Sequence, residues 1–147
     1  MAERTERDVL HHLMEVCKDG ERGFRAAANH VKDAKLKTLF ADLAAQRRQF
    51  AQDLQPHLQR LGGLPDGQGT SAGSVHRGWM AFMDLVPGQH DHHIVTEAER
   101  GERAALDAYE EALNGMLPPT VTDLIEAQRE AMAAATDRIH SIDMGYS

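Results

Sequence analysis

The chain has 147 residues, and its 16 Lys and Arg against 23 Asp and Glu give a net charge of −7. This length is typical of one domain that buries a core without disulfides, and the single cysteine, Cys17, cannot form an internal one. The acidic balance argues against nucleic acid and anionic membranes as partners, and no long apolar stretch is present to span a bilayer. Residues 1–8 are charged rather than apolar, which predicts no signal peptide. We therefore expect a single cytoplasmic domain over residues 1–147.

Apolar residues recur three and four positions apart, a spacing that predicts helices. The predicted helices cover residues 5–31, 34–61, 91–114 and 119–143, with a short helix at 73–85. Thr5 and Asp8 form a capping box for the first helix, and Asp33 caps the second. Pro118 and Pro119 open the fourth helix, where a missing N–H costs nothing.

The lengths of the connections predict the topology. Short turns join the first helix to the second and the third to the fourth, so each pair is an antiparallel hairpin. Roughly thirty residues, beginning with a Gly-rich stretch over 62–73, lie between the two pairs. The sequence therefore predicts an all-α, ferritin-like four-helix bundle: two αα-hairpins and one long crossover that carries the short helix.

Two short motifs recur along the chain. Gly20-Glu21-Arg22 returns as Gly101-Glu102-Arg103 after 81 residues, and Ala45-Gln46-Arg47 returns as Ala127-Gln128-Arg129 after 82 residues. Each repeat lies on the matching helix of the other hairpin. We interpret this as the trace of a duplicated hairpin.

Polar residues interrupt the apolar stripe of each predicted helix near its middle. They are Glu21 in the first helix, Gln46 and Arg47 in the second, Glu99 and Glu102 in the third, and Gln128 and Arg129 in the fourth. An isolated charge in a dry core is costly, so these groups must be paired, bound to metal or partly wet. Our main hypothesis is a core polar network, in which Arg47 forks onto Glu21 or Glu102 and the glutamines complete the hydrogen bonds.

A di-metal centre is the alternative hypothesis, with Fe or Mn held by Glu21, Glu99 and Glu102. Ferritin-like metal centres use one Glu from each of two helices and Glu-x-x-His from each of the other two. Glu21 and Glu102 fit the first requirement, but no Glu-x-x-His lies near Gln46 or Gln128. The Arg47 guanidinium would also compete with a cation for the same oxygens. A rotated helix that exposes these residues to water is the third possibility.

The histidines and the cysteine have simpler interpretations than catalysis. His90, His92 and His93 lie at a loop-to-helix junction, where such a run is usually solvated; adventitious zinc or nickel is the alternative. Cys17 lies one turn before Glu21, so burial and the carboxylate should raise the pKa of its thiol and make it unreactive.

Five motifs resemble a bacterial family of ferritin-like four-helix-bundle proteins that is catalogued as a domain of unknown function. They are Cys17-Lys18-Asp19-Gly20-Glu21-Arg22-Gly23-Phe24, Ala45-Gln46-Arg47 with Phe50-Ala51, His76-Arg77-Gly78-Trp79-Met80, Glu99-Arg100-Gly101-Glu102, and Ala108-Tyr109-Glu110-Glu111-Ala112-Leu113. The resemblance covers nearly the whole chain and implies the fold and a bacterial cytosolic setting, but no established activity. Arg103 stands where the family suggests an acid, Thr136 where it suggests His, and Pro56 is atypical for its helix.

The sequence favours a non-catalytic, stress-associated binding or structural protein without a cofactor. We expect a homo-oligomer that associates through an apolar face near Trp79, while the sequence identifies no protein partner. The alternative is a divergent protein that binds or oxidises iron or manganese. The direction of the Arg47 side chain distinguishes the two.

Overall fold

The structure, a computed structural model, describes residues 5–62 and 90–146. It contains α1 (Glu6–His30), α2 (Ala34–Arg60), α3 (Asp91–Leu113) and α4 (Pro119–Met144). These helices form an all-α four-helix bundle, as predicted, and each lies within one residue of its predicted boundaries. The predicted short helix at 73–85, with Trp79, falls outside the described residues. None of the described helices is long and apolar enough to cross a membrane.

Local capping explains where the helices begin. The Thr5 hydroxyl accepts a hydrogen bond from the Asp8 N–H at 3.1 Å, and the Asp8 carboxylate accepts one from the Thr5 N–H at 3.4 Å. Asp33 accepts from the Leu36 N–H at 3.0 Å at the start of α2. Pro119 occupies the first turn of α4. The predicted start signals of these three helices are therefore confirmed.

The second half of α2 contains a proline and ends at a glycine. The helix continues through Pro56 to Arg60, although the proline cannot donate a backbone hydrogen bond. Gly62 then has a φ of +98°, a left-handed conformation that residues with a Cβ rarely adopt. A glycine at this position therefore allows the chain to leave the helix.

Contacts at the two ends of the bundle fix the helix directions. Arg60 Nη2 lies 3.4 Å from Glu6 Oε1, so α2 ends beside the start of α1. The Asp91 carboxylate accepts hydrogen bonds from the backbone N–H groups of Lys32 and Asp33, at 2.8 and 2.9 Å, so α3 begins beside the α1–α2 turn. Helix α3 is therefore antiparallel to α1, and the end of α2 and the start of α3 lie at opposite ends of the bundle.

Most buried positions of the first hairpin correspond to buried positions of the second at a single offset of 81 residues. The matched buried pairs include Leu13 with Ile94, Cys17 with Ala98, Phe24 with Ala105, Phe40 with Val121, Leu54 with Ala135, and Leu58 with Ile139. The same offset pairs Arg47 with Gln128, both of which are buried. The match of Arg47 with Arg129, which the repeated motif suggested, is therefore one residue out of structural register.

Candidate functional site

Arg47 of α2 is the largest fully buried side chain among the described residues. Its Nη1 and Nη2 atoms donate hydrogen bonds to the two carboxylate oxygens of Glu102 on α3. The Arg47 and Glu102 side chains are 1% and 0% exposed. Neither charge could remain in this core alone, because each would lose its hydration without compensation. The pair therefore joins the two hairpins through a two-pronged ionic contact.

The rest of the guanidinium is also in contact with the protein. Its Nε donates to Gln46 Oε1 at 3.2 Å, so all three guanidinium nitrogens have an acceptor. Its Cζ lies 5.2 Å from the centroid of the Phe24 ring and 5.7 Å from that of Phe50, distances at which cation–π attraction operates. Burial acts to lower the pKa of Arg47, but the charge and hydrogen bonds of Glu102 outweigh it and hold the pKa above its ordinary value.

Gly20 of α1 provides the space for the stem of Arg47. A Cβ added at Gly20 would lie 3.3 Å from Cγ of Arg47, closer than ordinary van der Waals contact. The glycine of the first repeated motif thus permits α1 to approach the buried arginine.

A second set of hydrogen bonds links all four helices through the core. The hydroxyl of Tyr109 on α3 donates to Gln128 Oε1 on α4 at 2.6 Å, and Gln128 Nε2 donates to the Phe50 carbonyl on α2 at 3.2 Å. Cys17 Sγ on α1 lies 3.0 Å from the same hydroxyl. Because the hydroxyl donates its proton to Gln128, the thiol is left as the donor to the phenol oxygen. The buried polar atoms along this path are therefore satisfied.

The thiol and the phenol of this path are neutral at physiological pH. Burial raises the pKa of Cys17 to about 11, although the hydrogen bond with Tyr109 acts in the opposite direction. Burial also raises the pKa of Tyr109 well above its ordinary value. The expected rise in the Cys17 pKa is thus present, and a protonated, buried thiol is a poor nucleophile.

Glu21 does not join the buried ion pair, which corrects its expected place in the core network. It is half-buried, and Arg25, one turn later on the same helix, donates to it at 2.6 Å. Glu102 has Leu106 at the corresponding position and so has no cation one turn later. Of the two glutamates, Glu102 is the one that needs a partner from another helix.

Glu99 lies in a separate polar cluster, which corrects its predicted place in the core polar network. Its Oε2 accepts from Arg103 Nε and Nη2 at 2.9 and 2.7 Å, and lies 2.9 Å from His140 Nδ1. Both partners are about half exposed, so this cluster lies near the surface of the α3–α4 hairpin. Arg103 thus provides the cation for Glu99.

Arg129 also lies outside the buried network. It is half-buried and lines a surface cleft with Leu113, Glu126 and Glu130. The reason is the register described above: the buried position on α4 is Gln128, one residue earlier. Gln128 itself bonds to Tyr109 and not to Arg47.

The residues of the alternative metal site have different cation partners. Glu21 pairs with Arg25, Glu99 with Arg103, and Glu102 with Arg47. Among residues 5–62 and 90–146, no group of three or more His, Cys, Asp or Glu could hold a metal ion. The donor set that a di-metal carboxylate centre needs therefore does not fit these residues.

The histidine run at the start of α3 contributes a contact with α4. His92 Nε2 lies 2.9 Å from Asp143 Oδ1, and its ring stacks on Tyr146 with a centroid distance of 4.6 Å. His90 and His93 are exposed. His92 thus packs against the end of the last helix.

Sequence reasoning missed the polar roles of Cys17, Tyr109 and Asp91. The helical spacing of Cys17 and Tyr109 predicts side chains that pack in an apolar stripe and gives no sign of their hydrogen bonds. A tyrosine within a buried stripe is itself a signal, since its hydroxyl needs a partner. The contact of Asp91 with the α1–α2 turn has no local signal, because it joins residues nearly sixty positions apart.

Comparison with known proteins gives one family. A family model described as "Domain of unknown function (DUF2383)" matches residues 5–115. The match includes α1, α2 and α3, and with them both members of the Arg47–Glu102 pair. The comparison with curated proteins finds no match. Because the family model spans more than half of the chain, this protein belongs to the DUF2383 family.

Proposed function

We propose that this chain is a cytoplasmic, ferritin-like bundle protein with a non-catalytic function, structural or binding in kind. The observation that carries the proposal is the position of Arg47: its guanidinium lies in the middle of the bundle and bonds to both oxygens of Glu102. In a metal-dependent bundle the ion would occupy this space, and these carboxylate oxygens would be its ligands.

The charge of Arg47 supports a structural role for Glu102. A divalent cation would have to displace the guanidinium from the same two oxygens. It would also leave a second positive charge in a dry core between two phenylalanine rings. Both effects oppose metal binding at Glu102.

The polar groups along the path from Cys17 through Tyr109 to Gln128 favour the same interpretation. Tyr109 and Gln128 satisfy each other, and the thiol of Cys17 stays protonated. A general base or a nucleophile needs a pKa near the working pH, which neither the thiol nor the phenol has. These groups are suited to specifying the packing of four helices.

The helix directions support the ferritin-like part of the proposal. Helix α3 is antiparallel to α1, and α2 ends at the opposite end of the bundle from the start of α3. Two hairpins joined by one bundle-length connection have this arrangement, and simple up-down-up-down bundles do not.

Metal loading tests the non-catalytic proposal. The wild-type chain would be incubated aerobically with Fe(II), Mn(II) or Zn(II), passed through a desalting column and analysed for metal. We expect far less than one ion per chain, with the same value in a Glu21→Ala, Glu102→Ala double variant. One or two ions per chain in the wild type, lost in the double variant, would overturn the proposal.

A second comparison controls for loosely bound metal. The Glu110→Ala, Glu126→Ala variant removes two carboxylates from exposed positions on the second hairpin. Metal that is lost equally in this variant and in the Glu21→Ala, Glu102→Ala variant is bound at the surface, and that result supports the proposal.

A further inference from the structure

The outer side of the α1–α2 hairpin carries a groove of about 420 Å³. Its small residues include Ala41, Ala44 and Ala45. Two arginines, Arg25 and Arg48, line the same groove together with amide side chains. We call this surface the basic groove. None of the acidic side chains in residues 5–62 and 90–146 lines it.

The α3–α4 hairpin presents an acidic counterpart at the equivalent positions. The 81-residue offset takes Asn29 to Glu110, Ala45 to Glu126, and Gln49 to Glu130. A cleft of about 360 Å³ lies there, lined by Glu126, Arg129, Glu130 and Leu113. We call this surface, with Glu110, the acidic face. The repeat thus places a groove lined by two arginines on one hairpin and a face with three glutamates on the other, although Arg129 of the acidic face corresponds to Arg48 of the basic groove.

The charge of the two hairpins differs in the same sense. Residues 5–62 contain 10 Lys and Arg against 8 Asp and Glu, a net charge of +2. Residues 90–146 contain 4 Lys and Arg against 12 Asp and Glu, a net charge of −8. The molecule is therefore electrically polar across the bundle, and copies of it attract when opposite sides meet.

The charges of the two surfaces are available to a partner. Arg48 is exposed and forms no ion pair with any residue in 5–62 or 90–146. Glu110, Glu126 and Glu130 are exposed as well, and no side chain in those two ranges pairs with them. Arg25 is held by Glu21, so Arg48 is the cation that a second molecule would meet first.

We propose that the basic groove docks the acidic face of a second copy of this chain. The contact joins two different surfaces, so it is heterologous and leaves one basic groove and one acidic face free at the ends of each assembly. Chains then add head to tail unless the rotation closes a ring. The inference rests on the proposed binding or structural function and names the partner.

Sedimentation velocity at two salt concentrations provides the test. At about 20 mM NaCl we expect a weight-average mass above the 16.3 kDa of one chain, falling towards that mass at about 500 mM, where screening removes attraction between exposed charges. Association that resists salt would overturn the proposal and favour an apolar interface.

Charge reversal makes the test specific. Arg48→Glu should leave the chain monomeric at low salt, and so should Glu126→Arg combined with Glu130→Arg. An equimolar mixture of the two variants should associate again, because the unchanged acidic face of the first can dock the unchanged basic groove of the second, and the two reversed surfaces also attract each other. Arg138→Glu is the matched control: it changes the charge equally at an exposed α4 position outside both surfaces, and it should associate like the wild type.

Besides salt-resistant association, three results would overturn the docking. They are a monomeric wild type at low salt, an Arg48→Glu variant that associates like the wild type, and a mixture that fails to recover association although both variants keep the wild-type circular dichroism. The metal assay is independent of these masses. A chain that binds metal but associates head to tail would contradict the proposed function alone.

Discussion

The two hairpins of this bundle share most of their buried positions, but the side chains at those positions differ in size and charge. Phe24 in the first hairpin corresponds to Ala105 in the second, and Arg47 corresponds to Gln128. The two aromatic rings beside the Arg47 guanidinium, Phe24 and Phe50, belong to the first hairpin, while the second hairpin contributes Glu102. Both hairpins have the glutamate, Glu21 and Glu102, but only the first has the arginine, because Gln128 takes its place in the second. The core therefore contains one Arg–Glu pair, where a symmetric duplication would contain two.

Glu21 and Glu102 show how a neighbour decides the role of a residue. Both follow a glycine and precede an arginine, at corresponding places on α1 and α3. Glu21 has Arg25 one turn later, whereas Glu102 has Leu106 there. Glu21 is half-buried and pairs with Arg25 on its own helix. Glu102 has no cation one turn later on its helix, and it pairs with Arg47 of α2. We therefore expect the glutamates of two identical Gly-Glu-Arg motifs to contribute differently to the free energy of unfolding.

The largest expected difference in stability is between the same substitution made at Glu102 and at Glu21. Glu102→Leu leaves the Arg47 guanidinium buried and unpaired, and should lower the free energy of unfolding by about 3–5 kcal/mol. Glu21→Leu, the matched change 81 residues earlier, removes a contact with an arginine that is about half exposed and should cost less than about 1 kcal/mol. Urea unfolding followed by circular dichroism measures both. Equal losses would mean that the two positions are energetically alike.

Tyr109 sharpens the comparison, because the corresponding residue in the first hairpin is Ala28. Tyr109→Phe removes the donor to Gln128 and leaves that amide oxygen buried without a partner, so we expect a loss of about 1–3 kcal/mol. Tyr146→Phe, at an exposed position, should change stability by less than about 0.5 kcal/mol. A neutral Tyr109→Phe would show that water reaches Gln128.

Gly20 tests the space that the first hairpin leaves for Arg47. Gly20→Ala gains helix propensity, worth about 0.5–1 kcal/mol, but crowds an arginine that Glu102 holds at its far end. We expect a net loss of about 1 kcal/mol in thermal or urea unfolding. In an Arg47→Met background the flexible side chain can move away, so the same substitution should become neutral or stabilising. If Gly20→Ala still lowers stability in the Arg47→Met background, its cost does not come from crowding against Arg47.

The smallest effect concerns acid stability of the second hairpin. Burial acts to raise the pKa of Asp143, but hydrogen bonds involving Thr96, Glu99 and His92 outweigh it and lower that pKa. A lowered pKa adds stability above the unfolded-state value of about 3.9, and this stability is lost as the pH falls through the folded-state pKa. Asp143→Asn should therefore cost up to about 1 kcal/mol at pH 7, and the difference from wild type should shrink at an acidic pH below the unfolded-state value. Urea titrations at both pH values check this, and a difference that grows in acid would contradict it.

The sequence was sufficient for the helices and insufficient for the partners of their polar residues. Helix periodicity, the Thr5 and Asp33 caps and Pro119 are local features, which is why the predicted boundaries agree so closely. Which of the two glutamates, Glu21 or Glu102, pairs with Arg47 depends on the direction of each side chain and on its neighbour one turn away. It also depends on how the helices are rotated against each other, which the sequence does not specify. The one-residue difference between Gln128 and Arg129 is a rotation of about 100° on a helix, which a repeated triplet cannot resolve.

A double-mutant cycle on Arg47 and Glu102 tests the central claim most directly. The free energies of unfolding of the wild type, Arg47→Met, Glu102→Leu and the double variant would be measured under the same conditions. We predict that each single change costs about 3–5 kcal/mol, that the double variant loses much less than their sum, and that the coupling is about 2–3 kcal/mol or more. A coupling below about 0.5 kcal/mol would contradict the account, because the two side chains would then act independently in the core.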